Sequence, residues 1–362
     1  MKNNVIIGAG VTGLTLAERL AAKDENVLII EKRSTIGGNC YDYFDEDNNY
    51  IQLYGPHIFH TDDEEVWNYV NKFSEFNNYI HKVYCHVDGK LINIPFNLNS
   101  LYKAFDNLKA DKLKEILINE IGINNKVPIL KLLNHKNDFI KELAKFIYEK
   151  IFLYYTMKQW GKKPEEIDQS VTDRVPVFVS MDDRYFKCRW QGIPKNGFTK
   201  MFEKMIDRPN IKIILSTDYK DIIKNLKYDK IYYTGPLDYF FDYEYGKIKY
   251  RRIWLDFEKL NTNSYQENSV INYPNDFKFT RITEYNKFLF INNKTTVISR
   301  EYSSWDKGFE AYPVQDEENK EIVSKYLNKA KNYDNLVLIG RLAECKYYDI
   351  DQAIKRALEE VI

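Results

Sequence analysis

The stretch NVIIGAGVTG, residues 4–13, decides the fold. Its first four residues are an apolar run typical of a buried strand, and residues 14–20 carry apolar side chains at helical spacing. A second apolar run, residues 27–30, ends in Glu31, eighteen residues after Gly13. This strand–helix–strand order, with G-x-G-x-x-G at the first turn, predicts a dinucleotide-binding domain. The glycine backbone and the helix N-terminus would hold a diphosphate, and Glu31 would accept a hydrogen bond from a ribose hydroxyl.

A second glycine pair follows in EKRSTIGGN, residues 31–39. A basic residue and Gly37-Gly38 directly after the ribose-binding acid favour FAD over NAD, because the longer cofactor needs a second close backbone approach. YGPHIFHT, residues 54–61, then adds two histidines beside a Gly-Pro turn. A neutral imidazole at His57 could stabilise charge at the reactive nitrogen of a flavin, or could simply hydrogen-bond within the turn. The residues alone leave both interpretations open.

Composition excludes several classes of protein. The chain has 362 residues, enough for two or three domains, and 53 basic residues balance 53 acidic ones, which argues against a general nucleic-acid binder. No apolar run approaches the ~18 residues of a membrane span, and the first residues show neither a basic n-region nor a cleavage site, so we expect no secretory leader. We therefore expect no membrane insertion and a cytoplasmic location. The four separated cysteines predict free thiols, and the 15% aromatic content leaves rings for stacking on a planar ligand.

The rest of the chain predicts an α/β fold: a Rossmann-like FAD-binding domain with a helical-bundle insertion and a separate antiparallel β-sheet domain. The patterns predict a helix over 61–78, a hairpin over 82–94, a helical insertion over 100–160 and a mobile polar loop at about 162–176. Four short alternating segments predict the second sheet; they span residues 251–257, 270–273, 277–284 and 296–302. The predicted domains are the FAD-binding domain at 1–80, 195–240 and 318–362; the helical substrate domain at 98–178; and the sheet domain at 81–97, 179–194 and 241–317.

The usual catalytic signatures are missing from the sequence. It has no G-x-S-x-G or H-E-x-x-H motif, and its histidines and acids do not form a metal cluster by spacing. Without an activated side-chain nucleophile, we expect a cofactor to carry the reaction. Arg174, Arg251 and Arg281 stand among tyrosines in loops and strands, which favours a second anion, such as a substrate diphosphate, over simple solvation.

Over nearly its whole length the chain resembles the bacterial UDP-galactopyranose mutases. The motifs that carry this resemblance begin with the two glycine clusters and YGPHIFHT, and they continue with YTMKQWG at 155–161, Arg174–Val177, Asp182–Phe186, Gln191–Lys195, Phe279–Arg281 and Gly340–Asp349. YGPHIFHT together with YTMKQWG is highly specific, whereas the glycine motifs are common to many flavoenzymes.

The resemblance implies an isomerase with its active site in a cleft between the three parts. Reduced flavin would attack the anomeric carbon of a nucleotide-sugar through N5, and the resulting adduct would allow a six-membered ring to reclose as a five-membered one with no net redox. NAD(P)H or another reductant would activate the FAD. Cell-envelope or capsule polysaccharide synthesis is the implied pathway, and a homodimer is left open.

The resemblance also implies roles for individual residues. Arg174 and Arg281 would hold the departing diphosphate and His57 would lie against the flavin. The residues implied in binding the substrate are Phe152, Tyr155, Thr156, Trp160, Tyr185, Arg251, Asn272, Tyr312, Tyr347 and His81. Those implied in binding the cofactor are Gly8, Gly10, Thr12, Gly13, Glu31, Lys32, Gly38, Asn39, His57, Ile58, Gly235, Gly340, Arg341, Asp349 and Ile350. No metal is expected.

Five positions depart from the family pattern: His81, Tyr154, Phe178, Ala311 and Cys345. These departures leave flavin chemistry intact and put the sugar in question, because one changed group in a pocket shifts preference by ~1–3 kcal/mol. UDP-galactose is the first expectation, with UDP-N-acetylgalactosamine, dTDP-fucose, UDP-arabinose or another deoxysugar as alternatives. An FAD-dependent oxidoreductase and a catalytically silent nucleotide-sugar binding protein are the other two hypotheses.

Overall fold

A computed structural model describes residues 2–167 and 175–361. Arg174 and much of the loop predicted at 162–176 lie outside these ranges. The chain divides into two compact units. The first comprises residues 1–79, 188–250 and 312–362, and the second comprises residues 80–187 and 251–311. The predicted helical region and most of the predicted second sheet both fall within the second unit.

The strands of the described residues are, in chain order, β1 (Asn3–Ile7), β2 (Asn26–Ile30), β3 (Asp42–Phe44), β4 (Tyr50–Gln52), β5 (Phe59–Thr61), β6 (Val83–Val87), β7 (Lys90–Ile94), β8 (Lys126–Val127), β9 (Val177–Phe178), β10 (Trp190–Gly192), β11 (Ile211–Ile214), β12 (Lys230–Tyr233), β13 (Tyr250–Leu260), β14 (Val270–Asn272), β15 (Arg281–Glu284), β16 (Thr296–Ser304), β17 (Phe309–Pro313) and β18 (Leu336–Leu338).

The α-helices of the same residues are α1 (Val11–Ala21), α2 (Glu64–Val70), α3 (Leu98–Ala104), α4 (Asn107–Ile121), α5 (Ile129–Leu133), α6 (Asp138–Ile147), α7 (Leu153–Trp160), α8 (Gly197–Met205), α9 (Tyr219–Ile222), α10 (Leu237–Phe240), α11 (Glu317–Ala330) and α12 (Ile350–Glu360). A π-helical turn, Tyr148–Phe152, joins α6 to α7.

The first unit is built on a five-stranded parallel sheet in the order β11-β2-β1-β12-β18. Its central strand, β1, is buried along Asn4–Ile7, which explains the continuous apolar run in the sequence. Helix α1 packs against α12, so the two ends of the chain meet in one layer. The expected Rossmann-like fold is confirmed.

The second unit contains a seven-stranded sheet in the order β17-β13-β16-β15-β14-β6-β7, together with α3–α7. The pairs β13–β16, β16–β15, β15–β14 and β6–β7 are antiparallel. The pair β14–β6 is parallel. The sheet is therefore separate and mainly antiparallel, as expected, with one parallel pair that short-range alternation could not reveal. The predicted hairpin turns at Asp88-Gly89, where both residues have positive φ.

Two predicted segments are wrong in extent. The helix predicted over 61–78 covers only Glu64–Val70, because Thr61 ends β5 and Asp63 caps the helix by accepting from the backbone N–H groups of Glu65 and Val66. The strand predicted over 277–284 begins at Arg281, and the residues before it form the loop of the β14–β15 hairpin.

Candidate active site

Two glycines bring helix α1 close to the carboxyl ends of β1 and β12 in the first unit. Gly8 has a φ of +104°, and a Cβ there would come within 2.2 Å of Thr234 Oγ1. A Cβ on Gly13 would lie 2.1 Å from the carbonyl oxygen of Gly8. A side chain fits at neither position, so these two glycines allow the helix to pack closely against the strands.

The second glycine of the motif meets the second glycine pair. Gly10 forms a parallel bridge with Gly37, and a Cβ on Gly38 would lie 2.9 Å from Gly10 Cα. Helix α1 starts at Val11 with Gly10 as its N-cap, no side-chain cap and no acidic residue in its first turn. The resulting bare backbone, which we call the glycine cradle (Gly8, Gly10, Gly13, Gly37 and Gly38), suits a dinucleotide diphosphate.

Charged groups border the glycine cradle. The nearly buried Glu31 carboxylate accepts hydrogen bonds from the backbone N–H groups of Ala9 (2.7 Å) and Arg33 (2.7 Å), which fixes it at the end of β2. Arg33 donates to Asn39 Oδ1 at 3.1 Å and lies over the ring of Tyr54, while its Nη1 is buried with no acceptor among the residues described. An orphaned buried guanidinium N–H requires an acceptor, and a cofactor oxygen would provide one.

Arg33 was not among the predicted cofactor residues; Lys32 was. The Lys32 ammonium is ion-paired with Asp218 at 2.9 Å. A basic residue directly after Glu31 was the available signal, but residues 32–36 form a bend, so no strand periodicity tells which of the two adjacent basic residues points inward.

Hydrogen bonds to Gln52 and Gly55 fix the backbone and the ring of His57. Its N–H donates to Gln52 Oε1 at 2.7 Å, and Gln52 donates back to the His57 carbonyl at 2.9 Å. Nδ1 lies 2.8 Å from the carbonyl oxygen of Gly55, which can only accept. Nδ1 therefore carries a proton, and in the neutral ring Nε2 is an acceptor.

The carboxyl ends of β12 and β18 contribute further predicted residues. Gly340 has a φ of +94°, and a Cβ there would lie 3.0 Å from Thr12 Oγ1. Gly235 follows β12, Ile58 is buried, and Asp349 caps α12, which begins at Ile350. The predicted cofactor residues Thr12 and Gly340 are thus in contact.

An arginine and two tyrosines of the first unit form a cluster. The rings of Tyr312 and Tyr347 are stacked at 6.1 Å, and the Arg341 guanidinium lies 4.8 Å and 4.6 Å from their centroids. The resemblance implied that the tyrosines bind the substrate and that Arg341 binds the cofactor. Their contact gives a cationic, hydroxyl-bearing patch suited to a phosphate.

In the second unit, the predicted aromatic residues lie on and next to α7. Phe152 is buried at the end of the π-helical turn, Thr156 is buried, and Tyr155 and Trp160 are half-buried. The helix ends at Gly161 in the left-handed conformation, packed against the ring of Trp305. π-helical turns are frequent at functional sites, and this one directly precedes the predicted substrate-binding rings of Tyr155 and Trp160.

The buried carboxylate of Glu301 orients the guanidinium of Arg281. Its Nε donates to Glu301 Oε2 at 2.8 Å, its Nη2 forms an ion pair with the same oxygen at 2.8 Å, and the Glu301 side chain is 2% exposed. Asn272 pairs with Arg281 across β14 and β15, and its Oδ1 is buried with no donor among the described residues. The structure therefore places the two predicted substrate residues side by side, one of them with an unsatisfied acceptor.

His81 and Tyr185 are also brought together. The Tyr185 N–H donates to the His81 carbonyl at 2.8 Å, and the imidazole is edge-on to the Tyr185 ring and stacked on Phe186. His81 is 5% exposed. This departure from the family pattern is thus packed into the segment that carries a predicted nucleotide-binding tyrosine.

Arg251 has a different environment from the one the sequence suggested. Its guanidinium donates to the carbonyls of Gln159 (2.7 Å) and Lys158 (3.0 Å) and lies over Trp305. Burial lowers its pKa. These contacts make Arg251 the cation at the carboxyl end of α7, and its predicted contact with substrate stays a prediction.

Three features of the site were missed from sequence: Arg33, Glu301 and the pairing of His60 with Cys188. The His60 Nδ1 lies 3.5 Å from Cys188 Sγ, and its Nε2 lies 3.9 Å from Asp349. Burial lowers the pKa of His60. Within the described ranges, the acids Asp45, Glu46 and Asp47 place three ligand atoms close together, but they occupy a largely exposed turn, and we assign no metal to them.

The first unit thus has the features of a dinucleotide-dependent enzyme, and comparisons identify the family. The family model for UDP-galactopyranose mutase matches residues 150–347, and that for the NAD(P)-binding Rossmann-like domain matches residues 6–73. A probable UDP-galactopyranose mutase from Klebsiella pneumoniae is 36% identical over 99% of this chain and 93% of its own length. A dTDP-fucopyranose mutase from Escherichia coli is also 36% identical, over 99% of this chain and 97% of its own.

A solved structure, described as reduced UDP-galactopyranose mutase, shares the fold with a TM-score of 0.71 at 14% identity, over 100% of this chain and 93% of that one. The chain belongs to the UDP-galactopyranose mutase family, a family of flavin-dependent isomerases. It is a nucleotide-sugar mutase. In the described part of the chain, no helix has the length and apolarity needed to cross a bilayer.

Proposed function

We propose that this protein is an FAD-dependent mutase that interconverts UDP-galactopyranose and UDP-galactofuranose without net redox. The observation that carries the proposal is the pairing of Arg281, directed by buried Glu301, with Asn272, whose buried Oδ1 has no donor among the described residues. A charged donor beside an unsatisfied acceptor suits a sugar diphosphate, which offers anionic oxygens and hydroxyl groups.

The residues present also fit FAD. The glycine cradle offers bare backbone to a diphosphate, Glu31 stands at the ribose position, and Arg33 Nη1 is a buried donor in need of an acceptor. When bound and reduced, FAD would supply a nucleophile for the anomeric carbon of the sugar. NAD(P)H or another reductant would activate it.

The protein's own groups would control the leaving diphosphate. Glu301 holds one edge of the Arg281 guanidinium, so the direction of its donors is set before the ligand arrives. Such preorganised donors stabilise charge where it develops. Arg174, which lies outside the described residues, would be the second arginine, and Arg174→Ala is expected to lose rate while retaining flavin. His57, with its Nδ1 proton directed at Gly55, would present Nε2 as an acceptor.

A second candidate substrate is dTDP-fucopyranose, favoured by the Escherichia coli relative at 36% identity over 99% of the chain. The test is product analysis of the dithionite-reduced protein with UDP-galactose, UDP-N-acetylgalactosamine, UDP-arabinose and dTDP-fucose. We expect furanose product most rapidly from UDP-galactose. A faster reaction with dTDP-fucose would reassign the sugar, and no furanose from any of them would refute the mutase.

We propose a cytosolic location and a role in cell-envelope or capsule polysaccharide synthesis. The cysteines support the location, because Cys40, Cys85, Cys188 and Cys345 are all free thiols. Sedimentation of the purified protein would test whether it forms a homodimer.

A further inference from the structure

The ammonium group of Lys158 connects helix α7 to the β14–β15 hairpin of the second unit. Its Nζ donates to the carbonyl oxygen of Tyr273 at 2.7 Å and to that of Phe279 at 3.3 Å. Tyr273 directly follows Asn272, and Phe279 stands two residues before Arg281. One side chain therefore holds both arms of the hairpin loop, residues 273–280, next to the two residues proposed to contact substrate.

The hairpin is closed by its own bonds at the same place. The Tyr273 N–H donates to the Thr280 carbonyl at 2.8 Å, and the rings of Tyr273 and Phe279 meet edge to face at 5.0 Å. Thr280 Oγ1 in turn donates to Glu301 Oε1 at 3.2 Å, and Glu301 directs Arg281. Displacing the loop would therefore disturb the group that orients the arginine.

The carboxyl-terminal turn of α7 is anchored on the same sheet by two further contacts. Arg251 of β13 donates to the Lys158 and Gln159 carbonyls, and Ser303 of β16 donates to Gln159 Oε1 at 2.9 Å. Lys158 is the member of this set that reaches the hairpin. Its backbone carbonyl is bound by Arg251 of β13 while its side chain binds the hairpin loop, so α7 is held between the two.

Partial burial makes the charged form of Lys158 energetically unfavourable. Burial lowers its pKa to about 8, with the Asp276 carboxylate of the hairpin loop and the buried Cys85 thiol of β6 as charged or titratable neighbours. Its two hydrogen bonds to the hairpin go to carbonyl oxygens rather than to a carboxylate, and an apolar side chain at this position would avoid the cost of burying the charge. A charged side chain kept here in spite of this desolvation cost indicates that the link between α7 and the hairpin loop is needed.

We propose that Lys158 is a positioning residue for nucleotide-sugar binding, which fixes α7, with Tyr155 and Trp160, relative to the hairpin that carries Asn272 and Arg281. This inference rests on the proposed function, since it assumes that both groups act on one ligand. Lys158 itself need not touch the ligand, because its bonds to the two carbonyls act on the hairpin that carries the ligand-binding residues. Its removal would loosen the hairpin and lower affinity without removing any ligand contact.

The test compares Lys158→Met, which removes the donors, with Lys158→Arg, which retains charged donors that can reach two carbonyls. Lys145→Met, at an exposed lysine of α6, is the matched control. Calorimetry on the flavin-loaded, oxidised protein measures the Kd for UDP, and hydrogen exchange measures protection of the amides of residues 273–280. We expect Lys158→Met to weaken UDP binding at least tenfold and to speed exchange in 273–280 alone, Lys158→Arg to recover most of both, and Lys145→Met to match the wild type.

Wild-type affinity in Lys158→Met would overturn the inference, as would a loss of protection throughout the second unit that Lys158→Arg does not restore. Should Lys158→Met not fold, Lys158→Gln gives the same comparison with one uncharged donor group. Absence of UDP binding to the wild type would instead refute the proposed function itself, so the two failures are distinguishable.

Discussion

The backbones of Gly10 and Gly38 lie directly against each other, so that a Cβ on Gly38 would come within 2.9 Å of Gly10 Cα. Gly10 caps α1 and Gly38 follows Glu31 by seven residues, so this contact joins the two sequence motifs that predicted a flavin. The contact point is backbone, which cannot move aside as a flexible side chain can.

Gly38→Ala should therefore displace the glycine cradle and lower flavin content at least tenfold. Gly246→Ala is the matched control, because Gly246 also has a positive φ (+95°) but nothing lies within 4 Å of its Cβ position. The molar ratio of bound flavin to protein, measured from the visible spectrum, tests this prediction. Equal flavin content in the two variants would contradict the assignment of the cradle.

Arg281→Ala should reduce kcat at least ~100-fold, because a positioned charged donor is lost from the leaving diphosphate. It should also destabilise the protein by about 3 kcal/mol, since Glu301 would remain buried without its partner. The double variant Arg281→Ala/Glu301→Gln should recover stability, measured by urea unfolding, but not activity. Recovery of turnover in the double variant would show that Arg281 acts only structurally.

Arg251→Ala should lower the free energy of unfolding by about 2–4 kcal/mol, because two carbonyls at the end of α7 lose a charged donor. Arg251→Lys should recover only part of this, since an ammonium cannot reproduce the guanidinium fork or its stacking on Trp305. Urea unfolding measures the effect. An increase in KM with unchanged stability would instead favour the sequence-based prediction that Arg251 contacts substrate.

The lowered pKa of Lys158 predicts a pH dependence of stability. Between about pH 8 and 10.5 the folded protein has released this proton while the unfolded chain still holds it. The unfolded state then binds more protons, so the free energy of unfolding of the wild type, relative to Lys158→Met, should rise with pH in that window. Paired urea titrations at pH 7.5 and 10 check the sign, and a fall would contradict it.

Sequence reasoning succeeded for the glycine clusters, because the residues involved lie close together in the sequence. Residues 4–39 contain a strand, a helix, a strand and both glycine clusters, so local spacing determined the cradle around Gly10 and Gly38. It failed where partners are brought together only by the tertiary fold. Glu301 contacts Arg281 because β15 pairs with β16. Lys158 of α7 contacts Tyr273, which lies more than one hundred residues further along the chain. The parallel pairing of β14 with β6 is of the same kind, since it joins segments far apart along the chain. Burial also changed the interpretation of Arg251, whose partners are backbone carbonyls that no side-chain pattern shows.

The central claim is that the protein rearranges a sugar ring with no net transfer of electrons to or from it. The most direct test is to follow furanose formation from UDP-galactose over many turnovers while counting the NAD(P)H or dithionite consumed under anaerobic conditions. We predict that the reductant consumed stays near one equivalent per flavin while product accumulates far beyond it, and that oxidised protein forms none. Reductant consumed in proportion to product, or equal turnover by the oxidised protein, would contradict the account.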